Sequence, residues 1–164
     1  TKMVEGWITR GATGAKVSKV EPADQSAEGR FSLDVEFAAP AYAQLMQQRL
    51  LVFKPAIVSR RESLYLTHPA RKHPVVLDSH AYTETVRIKL PEGFAVDELP
   101  DPLKIETPFG AYAATCEVKD SRLLFTRTFT QRAATIPPDR YDSVRSFYAR
   151  ILATEQAPVV LAKQ

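Results

Sequence analysis

Repeats, glycine clusters, paired cysteines and long apolar runs are all missing from this 164-residue chain. No run of about 18 apolar residues exists, so no segment reads as a membrane span. The lone cysteine, Cys116, permits no internal disulfide and leaves the redox compartment open. The six glycines stand singly, which excludes a glycine-rich phosphate loop. A net charge of +3 is too mild to imply a nucleic-acid partner. The first residues, Thr1-Lys-Met-Val-Glu-Gly6, lack an initiator methionine and the apolar core of a signal peptide. That start reads as cut from a longer polypeptide.

What remains is a globular composition, 45% hydrophobic and 25% charged. For 18.3 kDa, surface scaling predicts about 8,100 Å² exposed on folding, enough burial for a core without disulfides or metal. Twelve prolines punctuate short alternating segments. Phe31, Leu33, Val35 and Phe37 share one face of a strand; Val86, Ile88 and Leu90 share another; Leu123, Phe125 and Phe129 a third. Pro91-Glu92-Gly93, Phe109-Gly110 and Asp120-Ser121 supply turns between strands. Further strands are expected near 4–10, 15–21, 50–58, 63–67, 75–78, 103–107 and 111–119, with a last one over Val159-Val160-Leu161. A short helix is expected over Ala41–Gln47.

From Asp139 the period changes. Tyr141, Val144, Phe147, Tyr148, Ile151 and Leu152 recur at three and four residues, predicting an amphipathic helix over 139–153 with Asp139 as its N-cap. Pro137-Pro138 blocks an earlier start and Pro158 stops continuation. The fold class is therefore all-β, mainly an antiparallel sandwich, with one C-terminal amphipathic helix, spanning 1–164 as a single domain.

Candidate chemistry is sparse. Cys116 with His68, His73 or His80 and an aspartate would make a thiol-nucleophile set. However, Cys116 shares parity with Tyr112, Ala114 and Val118, so it faces the core as an inert thiol. The histidine spacings match no zinc pattern and read as solvated loop residues. Asp97, Glu98 and Asp101 read as a turn, and Trp7 as a core or interdomain plug. The one positive surface hint is the stretch 49–73. It holds Arg49, Lys54, Arg60, Arg61, Arg71 and Lys72 against Glu62 alone. Those six are the candidate partner or anion contacts, and a solvated face is the competing reading. No catalytic, cofactor-binding or metal residue is assigned.

These segments, in order, resemble a known bacterial family. Phe37-Ala-Ala-Pro-Ala-Tyr-Ala43 precedes Arg49-Leu-Leu-Val-Phe-Lys-Pro55, Ala70-Arg-Lys-His-Pro-Val-Val76 being followed by Val86-Arg-Ile-Lys-Leu-Pro-Glu-Gly-Phe94. Leu99-Pro100, Phe109-Gly-Ala-Tyr112, Ile136-Pro-Pro-Asp-Arg-Tyr141 with Arg145, Phe147 and Tyr148, and Val159-Val-Leu-Ala-Lys163 complete the set. The likeness, over about 30–164, is to the C-terminal β-rich domain of unknown function that follows a transglutaminase-like core in large secreted or periplasmic bacterial proteins. It implies a non-catalytic accessory domain whose neighbour carries the Cys-His-Asp set. It also implies a periplasmic or extracellular setting, the transglutaminase-like core as intramolecular partner, and protein or glycan as further partners. The alternative is a free-standing sandwich module that binds a glycan or anionic polymer.

Overall fold

The alternating segments fold as antiparallel strands, and the 3.6-period segment as a helix laid on them. The computed structural model describes residues 2–58 and 66–164. In chain order, helix α1 (Lys2–Gly11) precedes β1 (Lys16–Gln25), β2 (Arg30–Ala38), β3 (Gln44–Met46), β4 (Leu50–Phe53), β5 (Val75–Leu77) and β6 (His80–Lys89). Then come β7 (Phe94–Glu98), β8 (Leu103–Thr107), β9 (Gly110–Lys119), β10 (Arg122–Gln131), β11 (Ala134–Ile136), helix α2 (Tyr141–Gln156) and β12 (Val159–Lys163). Two four-stranded sheets, β6-β10-β9-β8 and β3-β4-β12-β7, stand with the two-stranded ribbons β1-β2 and β11-β5. Every pairing among the described residues is antiparallel.

One face of the β6-β10-β9-β8 sheet carries the core. Tyr112, Ala114, Phe125 and Phe129 pack against Tyr141, Val144, Phe147 and Ile151 of α2. Towards the other end of the same face, Leu123 packs with Phe53, Val159 and Leu161 of the second sheet, beside Ile88 and Cys116. The first sheet is thus covered partly by a helix and partly by a sheet. Phe109 and Phe147 meet edge to face at 5.4 Å between centroids, a geometry that adds to area burial.

Helix α2 departs from expectation at both ends. It begins at Tyr141 after a 3-10 turn over Pro138–Arg140, so Asp139 lies inside that turn and caps nothing. No side chain caps α2 in its place, and the Ser143 hydroxyl donates back to the Arg140 carbonyl at 2.6 Å. The helix runs on to Gln156, and Leu152, expected in the buried stripe, is 55% exposed.

Three other expectations fail for identifiable reasons. The strand near 4–10 is instead α1, because Val4 and Ile8 share a face under either period. They bury with Ala12 and Ile57 against the β1-β2 ribbon. Gly11 allows that approach, since a Cβ there would lie 1.7 Å from the Ile57 carbonyl oxygen. The helix over Ala41–Gln47 is absent: β3 and a tight turn stand there. Gln47 and Gln48 both take left-handed backbone, at φ 50° and 56°, and the Arg49 N–H donates to the Met46 carbonyl at 3.1 Å. The pair Gln-Gln carries no turn signature, so the hairpin was invisible to pattern. The strand over 50–58 stops at Phe53, before Pro55, and the strand near 63–67 falls largely outside the described residues.

The left-handed glutamines set the first prediction. Gln48→Gly should raise stability by about 1 kcal/mol, because glycine adopts this backbone without a steric penalty. A chain of this size should then melt about 2–4 °C higher. An unchanged or lower midpoint in thermal unfolding would refute the strain at this turn.

Candidate functional site

Strand β10 places Leu123, Phe125 and Phe129 inward, and the same parity sends Arg127 inward too. Its side chain is fully buried. Its direct partner across the ladder is Glu84 on β6, likewise on the inner parity with Val86 and Ile88. Arg127 Nε donates to Glu84 Oε2 at 3.0 Å and Nη2 at 2.5 Å. Nη2 also donates to the Val58 carbonyl at 2.5 Å. Nη1 lies 2.5 Å from Glu155 Oε1, from the last turn of α2. The Tyr112 hydroxyl donates to the same Glu155 oxygen at 3.3 Å, and the guanidinium sits 5.5 Å from the Tyr82 ring centre.

Burial alone would lower the guanidinium pKa, but the Glu84 and Glu155 carboxylates reverse that and hold it above its ordinary value. Arg127 is therefore charged at any accessible pH. Burial first, then the Glu155 charge, raises the Tyr112 phenol as well. Chemically the arrangement is a lock, with a permanent cation tying two strands, a helix end and the Val58 segment together. A guanidinium held above its ordinary pKa cannot serve as a general acid or base near neutrality. The signal for it was present as charged residues at core-parity positions of β6 and β10.

The remaining candidates are scattered. Cys116 is half-buried between the two core clusters, and burial pushes its thiol up to about 11. His68 and His73 are exposed. His80 opens β6 with its ring 5.1 Å from that of Phe129. Among the described residues no cluster of histidine, cysteine and acidic side chains could hold a metal. Of the basic stretch, Arg49 closes the β3-β4 turn, its carbonyl accepting from the Lys163 N–H at 2.8 Å. Lys54 is exposed, with its carbonyl accepting from the Tyr42 hydroxyl. Arg71 lies 5.2 Å from the Tyr141 ring centre at the start of α2, and Lys72 is exposed. Arg60 and Arg61 lie outside the described residues. Arg49 and Arg71 are thus held on different elements.

Residues 48–161 match the family of a domain of unknown function, DUF3858, for which solved structures exist. The chain belongs to that family. No curated protein matches it. A crystal structure described as that of a putative protease from Parabacteroides distasonis superimposes with a TM-score of 0.60 at 17% identity, over 72% of this chain and 24% of that one. At that identity the likeness is one of fold. This DUF3858 domain spans about a quarter of that protein's length. The family match takes in β6, β10 and α2, hence Arg127, Glu84 and Glu155, and leaves α1 and the β1-β2 ribbon outside.

Arg127→Met should destabilise the DUF3858 domain by about 3–5 kcal/mol, because two carboxylates lose their buried counter-ion. Combining it with Glu84→Leu and Glu155→Leu should recover most of that loss; urea unfolding that found the single variant near wild type would refute the lock. Cys116, with its thiol at about 11, should alkylate with iodoacetamide at pH 8 about 100-fold more slowly folded than in urea. Folding raises this pKa, so the thiol's contribution to stability is full at neutral pH and lost as pH climbs through about 11. Equal labelling rates would sink that reading.

Proposed function

We propose that this DUF3858 domain is a non-catalytic accessory module, packed beside a transglutaminase-like core of cysteine-peptidase or acyl-transfer type. The observation that carries the reading is the recurrence of the fold as a quarter of a larger chain described as a putative protease. In this reading the neighbouring core supplies the nucleophile, and the DUF3858 domain positions substrate or partner in a periplasmic or extracellular setting.

Surface chemistry supports a neighbour. Phe31 is 67% exposed on the β1-β2 ribbon, and Met3 and Trp7 are 66% and 36% exposed one turn apart on α1. Apolar side chains left in water on a projecting ribbon and a terminal helix fit burial against another surface. Cys116, its thiol raised by burial, is unsuited to nucleophilic attack.

Deleting this domain from the polypeptide that carries it should lower that protein's stability, activity or partner binding. Full retention of all three would end the accessory reading. Within the isolated chain, Met3→Ser and Phe31→Ser should change stability by less than about 0.5 kcal/mol, as exposed positions do. The same pair should weaken association in trans with the remainder of the polypeptide, read by isothermal calorimetry.

A further inference from the structure

The outer face of the β6-β10-β9 sheet presents an arrangement that the accessory reading does not use. Ladder register sets Arg122 of β10 opposite Lys89 of β6 on one side and Lys119 of β9 on the other. Three cations thus stand in one row across three strands, spanning about 10 Å at the usual strand spacing. Arg87 lies two residues along β6 from Lys89, opposite Leu124. All four basic residues are exposed, and among the described residues none is in an ion pair. Like charges directly opposite one another destabilise a sheet. Glu117, two residues along β9 from Lys119 and opposite Leu124, and Asp120, which follows Lys119, are acids on this part of the sheet. Arg87, Lys119, Asp120 and Arg122 line an open depression of about 460 Å³ there.

Beyond the cations the same face turns to hydroxyls. Thr126 sits between Thr85 and Thr115, and Thr128 opposite Thr83, with the last two hydroxyls 3.4 Å apart. Leu124, Ala81, Ala111 and Ala113, the apolar members of this face, belong to none of the three core clusters. No aromatic side chain lies on it in these three strands, so a base has nothing to stack on.

We propose that this face binds an acidic, hydroxyl-rich polysaccharide of the uronate type. Carboxylates on the chain would engage the Lys89–Arg122–Lys119 row and Arg87, whose guanidinium fork suits a carboxylate. The threonine rows would meet the sugar hydroxyls. Charge complementarity selects an anion, and the rows of threonine hydroxyls beside the cations select a polyhydroxyl polymer. The surface lies outside the 49–73 stretch that linear charge density picks out.

The test is affinity electrophoresis of the whole chain through polygalacturonate, with dextran and polyglutamate as comparison polymers. Retention by polygalacturonate at low salt is expected, falling as salt rises, with none by dextran. Arg122→Gln with Lys89→Gln should weaken it about tenfold while leaving the thermal midpoint equal or higher, since like-charge repulsion is relieved. Thr85→Ala with Thr126→Ala should weaken it about threefold. Charge reversal at Arg49, Lys54 and Lys72 should leave it unchanged. No retention overturns the proposal. Equal retention by polyglutamate without sensitivity to the threonine variants also overturns it, in favour of an acidic polypeptide. Loss on reversing Arg49, Lys54 and Lys72 but not on neutralising Arg122 moves the site elsewhere and overturns it too.

Discussion

A single buried guanidinium joins the parts of this fold that hydrophobic contact alone would leave loosely related. Arg127 has no exposed surface, and its bonds run to β6, to the end of α2 and to the Val58 carbonyl. Around it, apolar packing divides: a helix covers one end of the inner sheet face and a second sheet the other. Hydrophobic burial is non-directional and would tolerate sliding of the helix along the sheet. A charged fork with fixed partners does not, because a displaced carboxylate leaves a buried ion uncompensated.

The same constraint reaches α1. Ile57 lies against Gly11 at a distance only glycine permits, and the next residue, Val58, supplies the carbonyl that Arg127 takes. Val4, Ile8 and Ala12 therefore pack on a segment whose backbone is anchored from the other side by the guanidinium. The N-terminal helix and ribbon are thus tied to the central sheet through a short stretch of chain. Their outer apolar residues, Met3, Trp7 and Phe31, stay in water.

Much of this was legible in the sequence, and the failures are instructive. Period-two alternation located β2, β6 and β10, and the three-and-four spacing located α2, because each pattern extends over several turns or pleats. At α1 two buried residues four apart satisfied both periods, and pattern had no means of choosing. At β3-β4 the turn uses Gln47 and Gln48, residues without turn preference, so their left-handed backbone is imposed by the strands on either side. Charged residues at 84 and 127 stood in positions that alternation assigns to the core. Their pairing became visible only when β6 and β10 were set in register. Linear counting likewise singled out 49–73, where the structure holds Arg49 and Arg71 on separate elements.

Register is what unites the two faces of the central sheet. The ladder that sets Arg127 opposite Glu84 is the ladder that sets Arg122 opposite Lys89, five residues along the same pair of strands. A slip of one residue would invert every side chain, driving lysines and arginines into the core and Phe125 and Phe129 into water. The inner face therefore fixes the outer one. Once the guanidinium and its carboxylates are locked, the cation row follows by geometry, and its repulsion is borne by the burial beneath it. Sequence change could disperse that row by replacing any one of three surface residues without touching the core. The core sets the alignment of those three positions, and the choice of cations at them belongs to the exposed face, where folding does not require them.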